Sequence, residues 1–151
     1  MHNSCFTECC LLVLVSWLFI GCAAPRLNTA SGNPEISIPD VTKKQVLDLI
    51  IAVKLQKGMQ IKNVNDYGVV FTKKVDQSFL ASFLYGSHYD STPEGRLHYN
   101  VVEQNGYVKV YSRIEIVTNP DSAFESVSDI TGNMGEQMQK ELEGLKQAFE
   151  H

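Results

Sequence analysis

Hydrophobic and polar residues alternate most regularly in the run RLHYNVVEQNGYVKVYSRIEIV, from Arg96 to Val117. Asn105-Gly106 separates its two β-rich halves and is the strongest short signal for a two-residue type I′ hairpin turn. This turn pairs Gln104 with Tyr107, and a slip of one residue would mix the two faces. The pattern therefore predicts an antiparallel hairpin with one polar, solvent-exposed face and a pair of opposite charges at its end. The predicted pairs are Val101–Val110, Tyr99–Ser112 and Leu97–Ile114 on the apolar face, and Val102–Lys109, Asn100–Tyr111, His98–Arg113 and Arg96–Glu115 on the polar face.

Helical periodicity occurs on both sides of this hairpin. Thr42 and Gln45 form a capping-box pattern at the start of the first predicted helix, and Gly58 supplies its stop. The apolar positions between them, largely along one side, are Val46, Leu47, Ile50, Val53 and Leu55. The second helix has a single apolar stripe formed by Met134, Met138, Leu142, Leu145 and Phe149. Methionines in such a stripe are more typical of a core than of a soft-metal site.

The remaining patterns are shorter. MQIKNV and YGVVFTKK, joined by a turn around Asn65-Asp66, predict another hairpin. The run SFLASFLY (78–85) fits either a strand or a short buried helix, and 86–95 has the composition of a loop. Asn119-Pro120-Asp121 ends the last strand, and we expect an irregular segment from there to the second helix.

This element order predicts a two-layer α+β domain. We expect an antiparallel sheet of about four or five strands, with an N-terminal and a C-terminal helix packed on one face. The order is similar to that of helix-grip domains, including those of lipoproteins attached to the outer-membrane barrel-assembly machinery. The similarity concerns architecture, and a shared fold does not imply a shared function.

A short apolar run, Leu11 to Ile20, precedes the domain. A spanning helix needs about 20 apolar residues, so this run fits a signal-peptide core better than a membrane span. Phe19-Ile20-Gly21-Cys22 resembles the bacterial lipobox, although Phe19 stands where Leu is usual and the first ten residues contain no Lys or Arg. The resemblance implies a signal peptide over residues 1–21. It also implies a Cys22 that carries diacylglycerol and an N-acyl chain such as palmitate, enough for stable membrane attachment.

Cysteine placement agrees with acylation. All four cysteines, Cys5, Cys9, Cys10 and Cys22, lie in the first 22 residues. The domain therefore has no disulfide and depends on its packed core. Gly21 and Ala23 also satisfy the small-x-small pattern of ordinary signal peptidase, so a soluble secreted protein is the alternative.

The segment after Cys22, AAPRLNTASGNPEISIPD, is rich in proline and small polar residues. This composition predicts a flexible tether over residues 22–40 and a single folded domain over 41–151. At roughly 3 Å per extended residue, such a tether could hold the domain tens of ångströms from the membrane.

The net charge of the chain limits the classes of partner that we expect. The chain has a net charge of −4, or −3 without residues 1–21, whose one acidic residue is Glu8. A mildly acidic domain argues against nucleic-acid binding and against electrostatic attachment to anionic lipid.

Three pieces of the domain, KGMQIKNVNDYGVVF, LYGSHYDSTPEGRLHYNVV and IVTNPDSAF, resemble small envelope lipoproteins of Gram-negative bacteria. In that family an aspartate after the lipidated cysteine retains the protein at the inner membrane. This chain has Ala23 there, so the resemblance implies the outer membrane, facing the periplasm.

Few residues suit catalysis. A hydrolase would join His88 or His98 to a carboxylate such as Asp90 and to Ser87 or Ser91, but nearness in sequence sets no triad geometry. A nucleophile motif such as G-x-S-x-G is missing from the sequence, and scattered histidines do not make a metal site. We expect no catalytic residue, no metal and no cofactor beyond the covalent lipid.

A binding surface is the better hypothesis. The polar face carries Tyr and Arg, the residue types that anchor interfaces, although strands also favour such side chains when simply solvated. The predicted face comprises Arg96, His98, Asn100, Tyr107, Tyr111 and Arg113, flanked by the loop residues Tyr85, His88 and Tyr89. We therefore predict a non-catalytic, membrane-anchored envelope lipoprotein that contacts another envelope protein. The alternatives are a lipoprotein that binds a small hydrophobic or lipid ligand and, third, an envelope hydrolase.

Overall fold

The computed structural model describes residues 27–75 and 92–150, and it confirms a two-layer α+β fold. In chain order the elements are β1 (Glu35–Pro39), α1 (Lys43–Gln56), β2 (Gln60–Asn65), β3 (Gly68–Lys74), β4 (Glu94–Gln104), β5 (Tyr107–Thr118), β6 (Ser126–Asp129) and α2 (Thr131–Gln147). All strand pairs are antiparallel, in the order β1-β5-β4-β3-β2. The short β6 pairs with the end of β5 beyond β1.

The central hairpin has the predicted register. Gln104 lies opposite Tyr107, and every pair named from the sequence is found, from Val102–Lys109 out to Arg96–Glu115. Asn105 and Gly106 have φ values of 45° and 84°, which the type I′ turn requires and which Gly adopts at no steric cost. The turn chemistry and the alternation thus act together to place Val101, Val110 and Tyr99 in the core.

The first helix starts and stops where predicted. Gln45 N donates to Thr42 Oγ1 at 3.3 Å, and Thr42 N donates to Gln45 Oε1 at 2.9 Å, which completes the capping box. Gly58 follows with φ 73°. Val46 and Ile50 are buried, but Leu55 is 47% exposed, so its placement on the apolar side was wrong. The next position on the stripe after Val46 and Ile50 is Lys54, which is buried instead.

The second helix presents the predicted stripe. Met138, Leu142 and Leu145 are buried, with Met134 and Phe149 partly buried beside them. Both helices pack on the same face of the sheet, α1 over β2, β3 and β4, and α2 over β1 and β5. The core lies between the two layers, where the methionine, leucine, valine and aromatic side chains form one continuous cluster.

The predicted tether is wrong for the residues just before the first helix. Glu35–Pro39 forms edge strand β1, paired with Tyr107–Tyr111 of β5. Ile36 and Ile38 enter the core. Gln139 of α2 also binds both backbone groups of Glu35, accepting from its N–H at 2.9 Å and donating to its carbonyl at 3.1 Å. The folded unit therefore begins well before Val41, because the β5 edge provides backbone partners that composition cannot reveal.

The segment after β5 also differs from prediction. The residues expected to be irregular include β6, which extends the sheet to six strands in the described part of the chain. The predicted β2–β3 hairpin is confirmed, with Asp66 and Tyr67 in its turn and a register shift between Ile61 and Asn63. A Cβ on Gly68 would lie 1.9 Å from the Tyr99 carbonyl oxygen. The first residue of β3 must therefore be a glycine for the backbone to approach β4 this closely. The ambiguous run 78–85 lies outside the described residues.

Candidate functional site: the polar face of the sheet

The polar face of the sheet is the face that neither of the two described helices covers. Strand alternation places Arg96, His98 and Asn100 of β4 on it, next to the odd-numbered residues 107–117 of β5. All six predicted binding-face residues therefore lie on this one surface. They differ greatly in how accessible they are.

One end of the polar face is crossed by the strap, which we define as residues 119–125 between β5 and β6. The Arg96 guanidinium donates to both carboxylate oxygens of Glu125, at 2.8 and 2.7 Å. Farther along, Asp121 Oδ1 lies 3.0 Å from Lys62 Nζ on β2. Within the strap, Asp121 N donates to Glu125 Oε2 at 2.9 Å. Side chains of two different strands, β4 and β2, thus bind the strap to the sheet.

Beneath the strap lies a compact charge group. Glu94 Oε1 accepts from Arg96 Nε at 2.6 Å and from Lys62 Nζ at 2.8 Å. We call Lys62, Glu94, Arg96, Asp121 and Glu125 the strap cluster. The Arg96 side chain is only 12% exposed, which limits its contact with a partner.

Attraction dominates the electrostatics of the strap cluster. The hydrogen bonds that Arg96 donates to Glu125 raise the pKa of the guanidinium, and the same bonds lower the pKa of Glu125 to about 2. Burial raises the pKa of Glu94, but hydrogen bonds from Lys62 and Arg96 outweigh it and leave that pKa below its ordinary value. Glu94, Arg96 and Glu125 are therefore charged at neutral pH, and the bidentate Arg–carboxylate contact adds directional hydrogen bonds to their attraction.

The predicted charge pair at the end of the hairpin was wrong in its partners. Arg96 and Glu115 are opposite in register. However, Arg96 bonds Glu94 and Glu125, whereas Glu115 bonds His98 at 2.9 Å and Arg113 at 2.8 Å. Glu94 and Glu125 together occupy the Nε and both terminal nitrogens of the guanidinium, because the strap brings a second carboxylate to it.

In the middle of the polar face, His98 and Glu115 form an imidazole–carboxylate pair. Such a pair provides a base and the group that orients it, but nucleophilic catalysis also needs an activated hydroxyl or thiol. The hydroxyl candidates Ser87 and Ser91, with His88 and Asp90, lie outside the described residues. Arg113 is 52% exposed on the outer side of Glu115 and faces solvent.

The end away from the strap carries the aromatic side chains. Lys109 Nζ lies 5.0 Å from the centroid of the Tyr111 ring and 3.2 Å from Glu35 Oε1, so the cation is held over the ring. Tyr111 and Glu35 together raise the pKa of Lys109. Asn100 is exposed next to Tyr111, and Tyr107 donates to Gln104 at 3.3 Å. Among the described residues, this end of the face is not crossed by the strap.

A second charge group, missed from the sequence, lies on the other side of the sheet. Lys54 Nζ of α1 is 2.6 Å from Glu141 Oε1 of α2, and Lys57 Nζ contacts the same oxygen at 2.5 Å. The Lys54 ammonium also lies 5.3 Å from the centroid of the buried Tyr99 ring. We call Lys54, Lys57 and Glu141 the interhelical cluster.

The two sides of the interhelical cluster differ: burial dominates at Lys54, whereas at Glu141 burial is outweighed by hydrogen bonds from Lys54 and Lys57, which lower the pKa of that carboxyl. The Lys54 side chain is 3% exposed, and desolvation lowers its pKa despite the opposing attraction of Glu141. Burial likewise raises the pKa of Tyr99. The i, i+4 spacing of Ile50 and Lys54 was the available signal for this placement, since it puts the lysine on the apolar stripe.

The other predicted site residues cannot be placed. Cys22 and the loop residues Tyr85, His88 and Tyr89 lie outside the described residues. Across the described ranges, three or more His, Cys, Asp or Glu side chains do not converge anywhere in a way that could hold a metal ion. None of the described helices is long and apolar enough to cross a membrane.

No protein-family model, curated protein or solved structure matches this chain. The class that the structure itself defines is a two-layer α+β domain in which the two described helices cover one face of a six-stranded antiparallel sheet and leave its polar face uncovered.

Proposed function

We propose that this protein is a non-catalytic lipoprotein of the bacterial cell envelope, held in the membrane by a lipid on Cys22, which binds another envelope protein through the polar face. The observation that carries the binding proposal is the strap-free part of that face, with Asn100, Tyr107, Tyr111 and Arg113 on two adjacent strands. The sequence supports the anchor through the lipobox-like Phe19-Ile20-Gly21-Cys22. Ala23 favours the outer membrane by the sorting rule of the family it resembles.

The composition of this surface supports a protein partner. Tyr and Arg supply large contact area and directional donors, and rigid aromatic side chains lose little conformational entropy when a partner covers them. Tyr111 already contacts the Lys109 ammonium, and Lys109 in turn pairs with Glu35. The strap confines Arg96, so the proposed contact surface is narrower than the sequence indicated and is centred on Tyr111 and Arg113.

The alternative of a small hydrophobic ligand between sheet and helices has weaker support. The described space between the layers is occupied by buried side chains, among them Phe71, Tyr99 and Leu142. Among the described residues, the His98–Glu115 pair is the one feature that favours a hydrolase. Glu115 orients the imidazole, but no described nucleophile is assigned to the pair.

The binding proposal is tested by co-purification from crosslinked membranes. Arg113→Glu and Tyr111→Ala should each reduce recovery of a specific partner at least tenfold with an unchanged circular dichroism spectrum. Lys44→Glu, at an 83% exposed lysine on α1, is the matched control and should leave recovery unchanged. Equal recovery in all three variants would remove the polar face from the proposal.

The anchor is tested separately by Cys22→Ser. This variant should lose membrane flotation and the acyl mass on the processed chain. Unchanged flotation would contradict the lipid anchor whatever the result at the polar face.

A further inference from the structure

The chain joins the folded body much closer to Cys22 than its composition predicts. Leu27 packs against α2 at Gly135, where an added Cβ would lie 3.2 Å from Leu27 Cδ1. The residues that follow are also fixed, because Gly32 N donates to Thr29 O at 3.2 Å and Thr29 Oγ1 donates to Asn33 O at 2.7 Å. The segment from Leu27 onward is therefore part of the domain.

This docking sets a short limit on the distance to the bilayer. Five residue steps separate Cys22 from Leu27. At 3.3–3.6 Å per fully extended residue, they reach at most about 18 Å. A lipid on Cys22 would thus hold the Leu27 side of the domain next to the headgroups, instead of tens of ångströms away. This step rests on the proposed lipid anchor.

Leu27 lies at a definite place in the fold, the β1/β6 edge of the sheet. Between β1 and β6, Ser112 N of β5 donates to Pro34 O at 3.1 Å, and Ile114 N donates to Thr131 Oγ1 at 3.0 Å. The segment that carries Leu27 and the first turn of α2 therefore meet at the middle of this edge. A cleft of about 140 Å³ lies between them, lined in part by Leu27, Pro34 and Asn133.

The exposed surface around this cleft is polar and uncharged over much of its extent. Asn28, Ser31, Asn33 and Asn133 are all exposed there; the acidic residues are Glu136 in the cleft lining and Asp129 at the end of β6, whose carboxylate accepts from Thr131 N at 2.8 Å. Neutral amide and hydroxyl groups can hydrogen-bond to lipid headgroups without the cost of bringing carboxylates to an anionic surface. We infer that a phospholipid headgroup surface covers the β1/β6 edge in the anchored protein.

The opposite edge is then turned away from the bilayer. Four strand spacings of about 4.8 Å separate β1 from β2, which places β2 roughly 19 Å farther across the sheet. Ile61, Val64 and Tyr67 are exposed in or beside β2. In this orientation the apolar β2 edge and its turn project into the aqueous compartment, and the polar face stands sideways to the membrane.

Energy transfer from single tryptophans to the headgroups tests this orientation. The only Trp of the chain, Trp17, lies within the segment predicted to be removed, so a processed variant carries one introduced reporter. We would place it at the exposed α2 start with Asn133→Trp, or at the 73% exposed β2–β3 turn with Tyr67→Trp. Each full-length chain is purified from bacterial membranes and reconstituted in phosphatidylethanolamine–phosphatidylglycerol vesicles containing dansyl-labelled phosphatidylethanolamine.

Asn133→Trp should give at least twofold more transfer than Tyr67→Trp. A 20-residue Gly-Ser insertion after Ala24 should remove the difference, since a long flexible linker frees the orientation without touching the docked Leu27. Equal transfer in acylated, floating protein without the insertion would overturn the orientation and leave the anchor intact. Protein that neither floats nor carries the acyl mass would overturn the anchor, and the orientation with it.

Discussion

The interhelical cluster and the strap cluster both pair basic side chains with carboxylates, but in different surroundings. In the interhelical cluster the pKa of Lys54 is lowered, because desolvation outweighs its attraction to Glu141. In the strap cluster the pKa of Arg96 is raised, because hydrogen bonds to Glu125 outweigh desolvation. The direction of the shift tells which contribution wins. Burial of Lys54 therefore carries a desolvation cost that Glu141 only partly offsets, whereas the carboxylates of both clusters have lowered pKa values and are held by net attraction.

The largest effect should come from removing the counter-charge of Lys54. Glu141→Gln leaves a buried ammonium without its carboxylate. We expect the free energy of unfolding in urea to fall by about 2–3 kcal/mol, less than for a fully buried pair because Glu141 is partly exposed. Lys54→Met is the control, since it removes the buried charge itself and should cost less than about 1 kcal/mol or stabilise the domain. Similar losses in both variants would contradict the assignment of desolvation as the dominant contribution.

The next effect should come from Arg96→Ala, which removes the bonds that hold the strap. A hydrogen bond to a charged group contributes about 1.5–3 kcal/mol. Because Lys62 remains bound to Glu94 in this variant, we expect the free energy of unfolding to fall by about 1–2 kcal/mol. Amide exchange at Asp121 should accelerate in the same variant, because its acceptor Glu125 is no longer positioned. Arg113→Ala, which removes one exposed ion pair, should cost under about 1 kcal/mol and leave that amide protected. Unchanged exchange in Arg96→Ala would show that the strap is held by other contacts.

Acid should open the strap at a defined pH. The pKa of Glu125 is about 2 in the folded protein, below its ordinary value of 4.5, and the pKa of Glu94 is also lowered. Because the folded-state values are depressed, their stabilisation is fully present above pH 4.5 and is lost as the pH falls from 4.5 toward 2. The amide shift of Asp121, followed by NMR, should titrate at the lower end of that window, near the folded-state pKa of Glu125 of about 2. Glu125→Gln should abolish this step, and a transition centred above pH 4.5 would argue against the assignment.

The smallest effect should come from a fully solvated ion pair. Lys44 and Asp48 are one helical turn apart on the outside of α1, with side chains 83% and 60% exposed. Lys44→Ala should change the free energy of unfolding by less than about 0.5 kcal/mol. A loss comparable to that of Arg96→Ala would mean that burial does not rank the ion pairs of this domain.

Local patterns predicted a large part of the fold. The Asn105-Gly106 turn and the alternation around it gave the complete β4–β5 register, because a side-chain period of two and a two-residue loop leave one arrangement with a single apolar face. The capping box at Thr42 and the stripe containing Met138 and Leu142 located both helices for similar reasons.

The candidate site was predicted less completely. Alternation placed all six residues of the binding face on one surface, but it could not show that the strap would confine Arg96. Arg96 and Glu125 are 29 residues apart, and Lys62 and Asp121 are 59 apart, so a local pattern carries no record of these contacts. The burial of Lys54 had a signal in its spacing from Ile50, but only the position of Glu141 on the neighbouring helix made that burial tolerable.

By itself, the sequence determined the elements whose stability comes from near neighbours: the hairpin, the helix caps and the apolar stripes. The tertiary structure alone decided that Glu35–Pro39 is a strand, that residues 119–125 cross the polar face, and that Leu27 is docked on α2. The physical reason is the origin of the partner groups. A turn or a helix cap satisfies its backbone within a few residues, whereas an edge strand, a strap and a docked side chain depend on groups supplied by distant parts of the folded chain.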